Sequence, residues 1–197
     1  MNRLIYITED IPGCGANGNE KEEAIVRRVL DQVLFLNTVD KDKPIHVLID
    51  TNGGCVKTAL SIYDILNMSE APIYTYALSE VSSAGVLVFL AGAKRIAFKH
   101  SQFMTHPSTM SMHGSDRDID QIAESLKEQN VKTKAIFKKK LKLSEKKYKK
   151  LHDAINYMWA EEAKKFKIVT EVVDSFPDEL IFGSMEFTLE LGEKPDA

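Results

Sequence analysis

The sequence predicts an α/β protein with an at least partly parallel sheet, and three observations carry that prediction. Runs rich in β-branched and aromatic residues alternate along the chain with stretches of helical apolar spacing, the pattern of strands joined by crossover helices. One run, Lys43 to Asp50, is almost continuously apolar, as a buried strand is. The chain also has 197 residues, 44% of them apolar and 28% charged, enough for one substantial core and too apolar for disorder.

The elements follow in order. Arg3 to Thr8 (RLIYIT) reads as a first strand. Pro12 to Asn19 (PGCGANGN) is a loop, because Gly, Pro and Asn interrupt regular structure. Glu22 to Val39 sets Ile25, Val29, Val33 and Leu36 on one helical stripe. After the strand at Lys43 to Asp50, TNGG makes a tight turn, and helical spacing returns at Val56, Leu60, Tyr63 and Leu66. Ala71 to Ser79 is a strand, and the run from Val81 to Gly92 follows as a helix. Lys94 to Phe98 and Ser101 to His106 are two short strands. Asp116 to Leu143 is one long helical pattern, and Ser144 caps the next helix. Ala160 to Asp174 is a short helix running into a strand. The tail from Phe176 holds one or two further strands before an acidic end. With no repeat and no linker, the expectation is one domain over 1–197: a head to about 115, a projecting helix at about 116–143, and the rest of the head at 144–197.

The formal net charge of -3 offers no global reason for nucleic acid or an anionic membrane as partner. Ten lysines crowd Lys132 to Lys150 with Glu145 the only acid among them. Either this is a basic patch, or it is a solvated helical face whose apolar side is Val131, Ala135, Ile136, Leu141 and Leu143. Cys14 and Cys55 have no metal-type spacing and cannot form a disulfide framework, so neither metal nor cofactor is expected. Without a signal peptide or a bilayer-length apolar span, the cytoplasm is the default location.

The stretch VSSAGVLVFLAG sets two serines at the head of an apolar run. Serines there are good helix N-caps. A serine at a strand-to-helix turn is also where a nucleophile is exposed beside the following backbone N–H, although the G-x-S-x-G form is absent. The turn TNGGCV ends the preceding strand. If the two strands are neighbours, both turns open on one sheet edge, and the Gly54 and Ala84 N–H groups converge on one oxygen, as acyl transfer requires. A base is then needed. His46 lies within a strand, His100 and His113 flank turns, and His152 ends the lysine-rich helix. His106, closing SQFMTH before Pro107, is the best candidate, with a carboxylate or amide to orient it.

TNGGCV, SIYDIL, VSSAGVLVFLAGAKRIAF, FMTHP and MWAEEAKKFKIVTEVVD occur in that order. Together they resemble ClpP, the proteolytic subunit of the Clp protease. That family's pattern runs Pro-Gly-Gly-Ser, Ile-Tyr-Asp, Ala-Ser-Met-Gly-Ala, Ala-Gly-Ala-Lys, Met-Ile-His-Gln-Pro and Ser-Ala-x-Glu-Ala before a final Val-Asp. The resemblance spans roughly Arg3 to Asp174. It implies a crotonase-like fold of repeated ββα units with a handle helix joining two rings, at Asp116 to Leu141. It implies a self-compartmentalising serine endopeptidase, acting on unfolded proteins or peptides and assembling as stacked rings of seven. Ser83 stands at the nucleophile, His106 at the base, and Gly54 and Ala84 at the oxyanion hole. Ile155 stands where the family has its catalytic Asp; Asp153 and Asn156 are the neighbours that could serve instead, with Asp153 preferred. The same Ile155 favours the alternative of a weak or inactive structural subunit in a mixed ring. An acyl-CoA enzyme of the same superfold is a third reading, against which the Ser83–His106 pairing argues. Family members carry a segment before the first strand that helps dock an AAA+ ATPase. Here a strand begins by Leu4, which argues against ATPase coupling.

Overall fold

A computed structural model describes residues 3–13, 19–109, 115–177 and 180. The chain runs β1 (Leu4–Ile7), α1 (Asn19–Val39), β2 (Ile45–Thr51), α2 (Val56–Asn67), β3 (Ile73–Ser82), α3 (Ala84–Phe89), β4 (Lys94–Phe98) and β5 (Gln102–Thr105). It continues with α4 (Asp116–Leu141), α5 (Glu145–His152), β6 (Asn156–Trp159), α6 (Ala160–Lys165) and β7 (Glu171–Val173). Strands β1, β2, β3, β4 and β7 lie side by side in that order, all parallel, so the expected α/β class with parallel pairing holds. Among the described residues no helix is long and apolar enough to cross a membrane.

The longest strand organises the rest. Tyr74 to Ala77 of β3 pair with β4, and Glu80 to Ser82 pair with β5, which in turn pairs antiparallel with β6. Where β3 changes partner, two of its carbonyls lose their strand. The buried Ser101 hydroxyl serves both, reaching Ala77 O at 2.8 Å and Leu78 O at 3.1 Å. On the opposite edge the register to β2 slips between Ile49 and Thr51, and Asp50 Oδ1 accepts the Glu80 N–H at 2.9 Å. Two polar side chains thus fill gaps that would otherwise leave buried backbone groups unpaired.

One sheet face carries Ile5, Ile7, Val47, Ile49, Ala77 and Val81 into a single cluster with the stripe Ile25, Val29, Val33 and Leu36 of α1 and with Ile62, Leu66, Val86 and Phe89 of α2 and α3. Full burial of each such side chain stabilises by about 1.5–3 kcal/mol. The other face holds a smaller cluster of Leu48, Tyr76 and Ile96, against which Phe176 and Leu180 pack.

Helix α4 starts with a capping box in which Ser115 and Asp118 satisfy each other's backbone N–H. Acids fill its first turn, lysines its last, and Lys142 ends it in the left-handed conformation at φ 49°. The helix therefore stops two residues short of the expected Leu143. Its halves differ. Thr133, Phe137 and Leu141 are buried, and Ile136 packs on the main cluster, so the C-terminal half belongs to the head. The N-terminal half keeps an i, i+3, i+4, i+7 stripe of Ile119, Ile122, Ala123 and Leu126 only partly covered. The expected apolar side of the handle divides: Ile136, Leu141 and Leu143 pack on the head, whereas Val131 at 69% and Ala135 stay exposed.

The lysine crowd is in part built into the fold. Lys134 and Lys138 both pair with Glu145 and hold its carboxyl down to about 2. Lys140 donates to Ala91 O and Asn67 Oδ1, and burial pushes its ammonium below the usual lysine range. Ser144 caps α5 as expected, accepting from the Lys147 N–H. Two boundaries differ from expectation. Val81 and Ser82 stay in the strand because they pair with Phe103 and Met104. Strand β6 was not foreseen, since four residues acquire strand geometry only by pairing with β5. The strands expected in the tail lie outside the described residues, as do Cys14 and His113.

Candidate active site

Ser83 sits between the end of β3 and the start of α3, at φ 54° and ψ -123°. A side chain seldom adopts that backbone, and its cost of about 1–3 kcal/mol persists only where neighbours enforce it. Here they do. The Ser83 N–H donates to Met104 O at 2.7 Å, and the Ser83 carbonyl accepts from the Val86 N–H at 3.1 Å. Ser82 is fully buried and turned aside, its hydroxyl donating to Glu80 Oε1 at 2.6 Å. The sharp turn leaves the Ser83 hydroxyl facing a cleft of about 500 Å³.

His106 follows the last residue of β5. Its anchor is Thr105, whose hydroxyl donates to Leu151 O at 2.7 Å while β6 pairs alongside. The result places His106 Nε2 2.7 Å from Ser83 Oγ, a hydrogen bond between residues 23 apart in the chain. His46 is bound instead to the Tyr76 hydroxyl at 2.8 Å on β2, and His100 lies in the turn after β4.

The Gly53–Gly54 turn presses against the same corner. Both residues have positive φ, 95° and 135°. A Cβ on Gly53 would stand 2.8 Å from Ser83 Cβ and 3.0 Å from Ala84 N, and one on Gly54 would stand 2.0 Å from Ile11 O. Only glycine permits this approach. The Ile11 N–H donates to Gly53 O at 2.7 Å and the Cys55 N–H to Ile11 O at 3.1 Å. In that parallel bridge the Gly54 N–H is turned away from Ile11. Among the described residues neither the Gly54 nor the Ala84 N–H makes a hydrogen bond, and both residues line the cleft with Ser83 and His106. Two open donors beside a serine–histidine pair can hold a developing oxyanion.

The expected third member is not brought to His106. Asp153, the C-cap of α5, lines the cleft but is exposed and makes no hydrogen bond to His106. The Asn156 amide nitrogen is taken by carbonyls at the end of α5, Lys150 O at 2.7 Å and Ala154 O at 2.9 Å. The β5–β6 register ends with Thr105 paired to Asn156, so His106 and Ile155 both lie just beyond it. Ile155 is 65% exposed. A residue not singled out from the sequence also lines the cleft. His152, the last residue of α5, stacks on Tyr148 and meets Phe137 edge-on. Burial pushes its imidazole down to about 4. Nothing in the local sequence marks it, because its place depends on α4 and β5.

Two likenesses bear on this arrangement. A sequence model of the Clp protease family matches residues 16–176. The fold is similar to that of an asparagine-to-aspartate mutant of ClpP1 from Listeria monocytogenes, with a TM-score of 0.74 at 21% identity, over 88% of this chain and 92% of that one. At that identity the second likeness speaks to fold alone.

Proposed function

The chain belongs to the Clp protease family, and from that premise we propose that it is a serine-type endopeptidase cleaving unfolded polypeptides through an acyl-enzyme on Ser83. One observation carries the reading: the hydroxyl of a conformationally strained serine lies 2.7 Å from His106 Nε2. Ser83 Oγ attacks the peptide carbonyl as His106 takes its proton. The carbonyl oxygen, now an anion, lies between the Gly54 and Ala84 N–H groups. His106 returns the proton to the departing amine. Water then enters by the same route and releases the acid. Family membership also supports assembly into rings. We assign the contact between rings to the outer half of α4, where the stripe of Ile119, Ile122, Ala123 and Leu126 is only partly covered by the described residues.

A second reading is a structural ring subunit with little or no activity, and Ile155 standing where the family resemblance puts a catalytic Asp is the observation in its favour. A fluorophosphonate probe separates the two. The peptidase reading expects stoichiometric labelling of the wild type, none of Ser83→Ala and little of His106→Ala. An assembled wild type that stays unlabelled supports the structural reading instead.

A further inference from the structure

We infer that the cleft selects polypeptides with acidic residues beside the scissile bond, and that a lysine-rich wall formed by the inner half of α4 and by α5 makes the selection. The inference rests on the peptidase reading above and names its substrate class. The charge is local. Residues 132–153 carry ten lysines against two acids, Glu145 and Asp153, while the whole chain has 29 acids against 26 lysines and arginines. The wall also borders the catalytic pair. Asn130, Thr133 and Phe137 of α4 and Tyr148 and His152 of α5 line the cleft that holds Ser83 and His106.

The fold uses only part of this charge. Lys134 donates to Glu145 Oε1 at 2.8 Å and Lys138 pairs with the other oxygen of the same carboxylate, so one acid answers two bases. Lys140 is committed to Ala91 O and Asn67 Oδ1, and Lys150 lies over the Phe166 ring. The side chains of Lys132, Lys139, Lys142, Lys146, Lys147 and Lys149 are exposed and make no ion pair or hydrogen bond among the described residues. By contrast, Lys41, Lys43 and Lys57 each pair with an acid of their own. Three of the six adjoin the lining itself: Lys132 lies between Val131 and Thr133, and Lys147 and Lys149 stand on either side of Tyr148. Lys134 lines the cleft, its ammonium 5.1 Å from the centre of the Tyr148 ring. Asp153 is the one acid among the described lining residues, and the lysines around it outnumber it. Charges of one sign beside a low-dielectric cleft focus the field and raise the local concentration of the opposite charge. The acidic first turn of α4 in a second copy would also suit this charge. Seated on lysines that adjoin the lining, however, it would close the cleft, so the polypeptide is the occupant.

The test uses two fluorogenic peptides of equal length and the same apolar residues, with Glu flanking the cleaved segment in one and Gln in the other. The expected kcat/KM favours the Glu peptide about tenfold at about 0.01 M salt, where charges act over about 30 Å. At about 1 M salt, where they act over about 3 Å, the two peptides should agree within about twofold. Both peptides meet the same particle at each salt concentration, so any change in assembly cancels in the ratio. Combining Lys132→Gln, Lys147→Gln and Lys149→Gln should bring the low-salt ratio close to one. Combining Lys132→Glu, Lys147→Glu and Lys149→Glu should reverse it. Thermal melting is the control for folding, and the wild-type salt series decides alone if these variants unfold. Equal low-salt rates in a wild type that a fluorophosphonate labels at Ser83 would overturn the inference and leave the peptidase reading standing. So would Glu variants that keep the wild-type ratio but sediment as smaller species, which would give the lysines to a second copy. A single-stranded RNA that inhibits more strongly than a Glu peptide of matching charge would give them to nucleic acid and overturn it too. A wild type that neither labels nor cleaves ends the peptidase reading, and the inference with it.

Discussion

Replacing His152 by Gln should flatten the dependence of stability on pH between 7 and 5. The imidazole has an ordinary value of 6.5 and is pushed down to about 4 in the fold, with burial as the main cause. The group is depressed in the native state, so the unfolded chain binds the proton first. Stability is therefore fully present above 6.5 and declines as pH falls toward 4. At pH 5 the unfolded imidazole is almost wholly protonated and the native one almost wholly neutral, which amounts to about 2 kcal/mol relative to pH 7. The ring keeps some contact with solvent, so about 1–2 kcal/mol is the expected loss. The assay is urea unfolding of wild type and His152→Gln at both pH values and one protein concentration, which also holds any assembly term constant. The wild type should lose about 1–2 kcal/mol more than the variant across that window, with other titrations cancelling in the difference. Equal losses in the two proteins would refute the burial argument.

Three further outcomes are expected. Ser83→Gly and Ser83→Ala both lose the hydroxyl, but only glycine relaxes φ 54°, so the Gly variant should unfold at higher denaturant, by about 1 kcal/mol; a more stable Ala variant would argue against strain at the turn. Gly54→Ala puts a Cβ 2.0 Å from Ile11 O at φ 135°, so it should cost at least about 2 kcal/mol and abolish labelling of Ser83; melting curves and probe labelling check both parts. Leu126→Glu should leave the melting of the head nearly unchanged and shift sedimentation to smaller species, whereas Ile136→Glu, packed on the main cluster, should lower the melting temperature; the opposite pattern would move the contact back along α4.

Much of this protein was legible in local chemistry. Turn residues such as Gly53 and Gly54, the cap Ser144, and the apolar stripe of α1 each act within a few residues of themselves, so spacing alone was enough to read them. The candidate pair Ser83 and His106 was readable for a related reason. Each ends a recognisable strand, and strands of a parallel sheet deliver their ends to one edge. Tertiary structure decided what depends on pairing and packing between distant segments. β6 is a strand only because β5 lies beside it, and at its start the Asn156 amide nitrogen is committed to the end of α5. Both halves of α4 carry an apolar stripe, and only the docking of Phe137 and Leu141 onto the head separates the buried half from the projecting one. His152 is one polar residue at the end of a lysine-rich helix. It enters the cleft because α4, α5 and the end of β5 meet there, a contact whose free energy arises from surfaces that no single segment of the sequence contains.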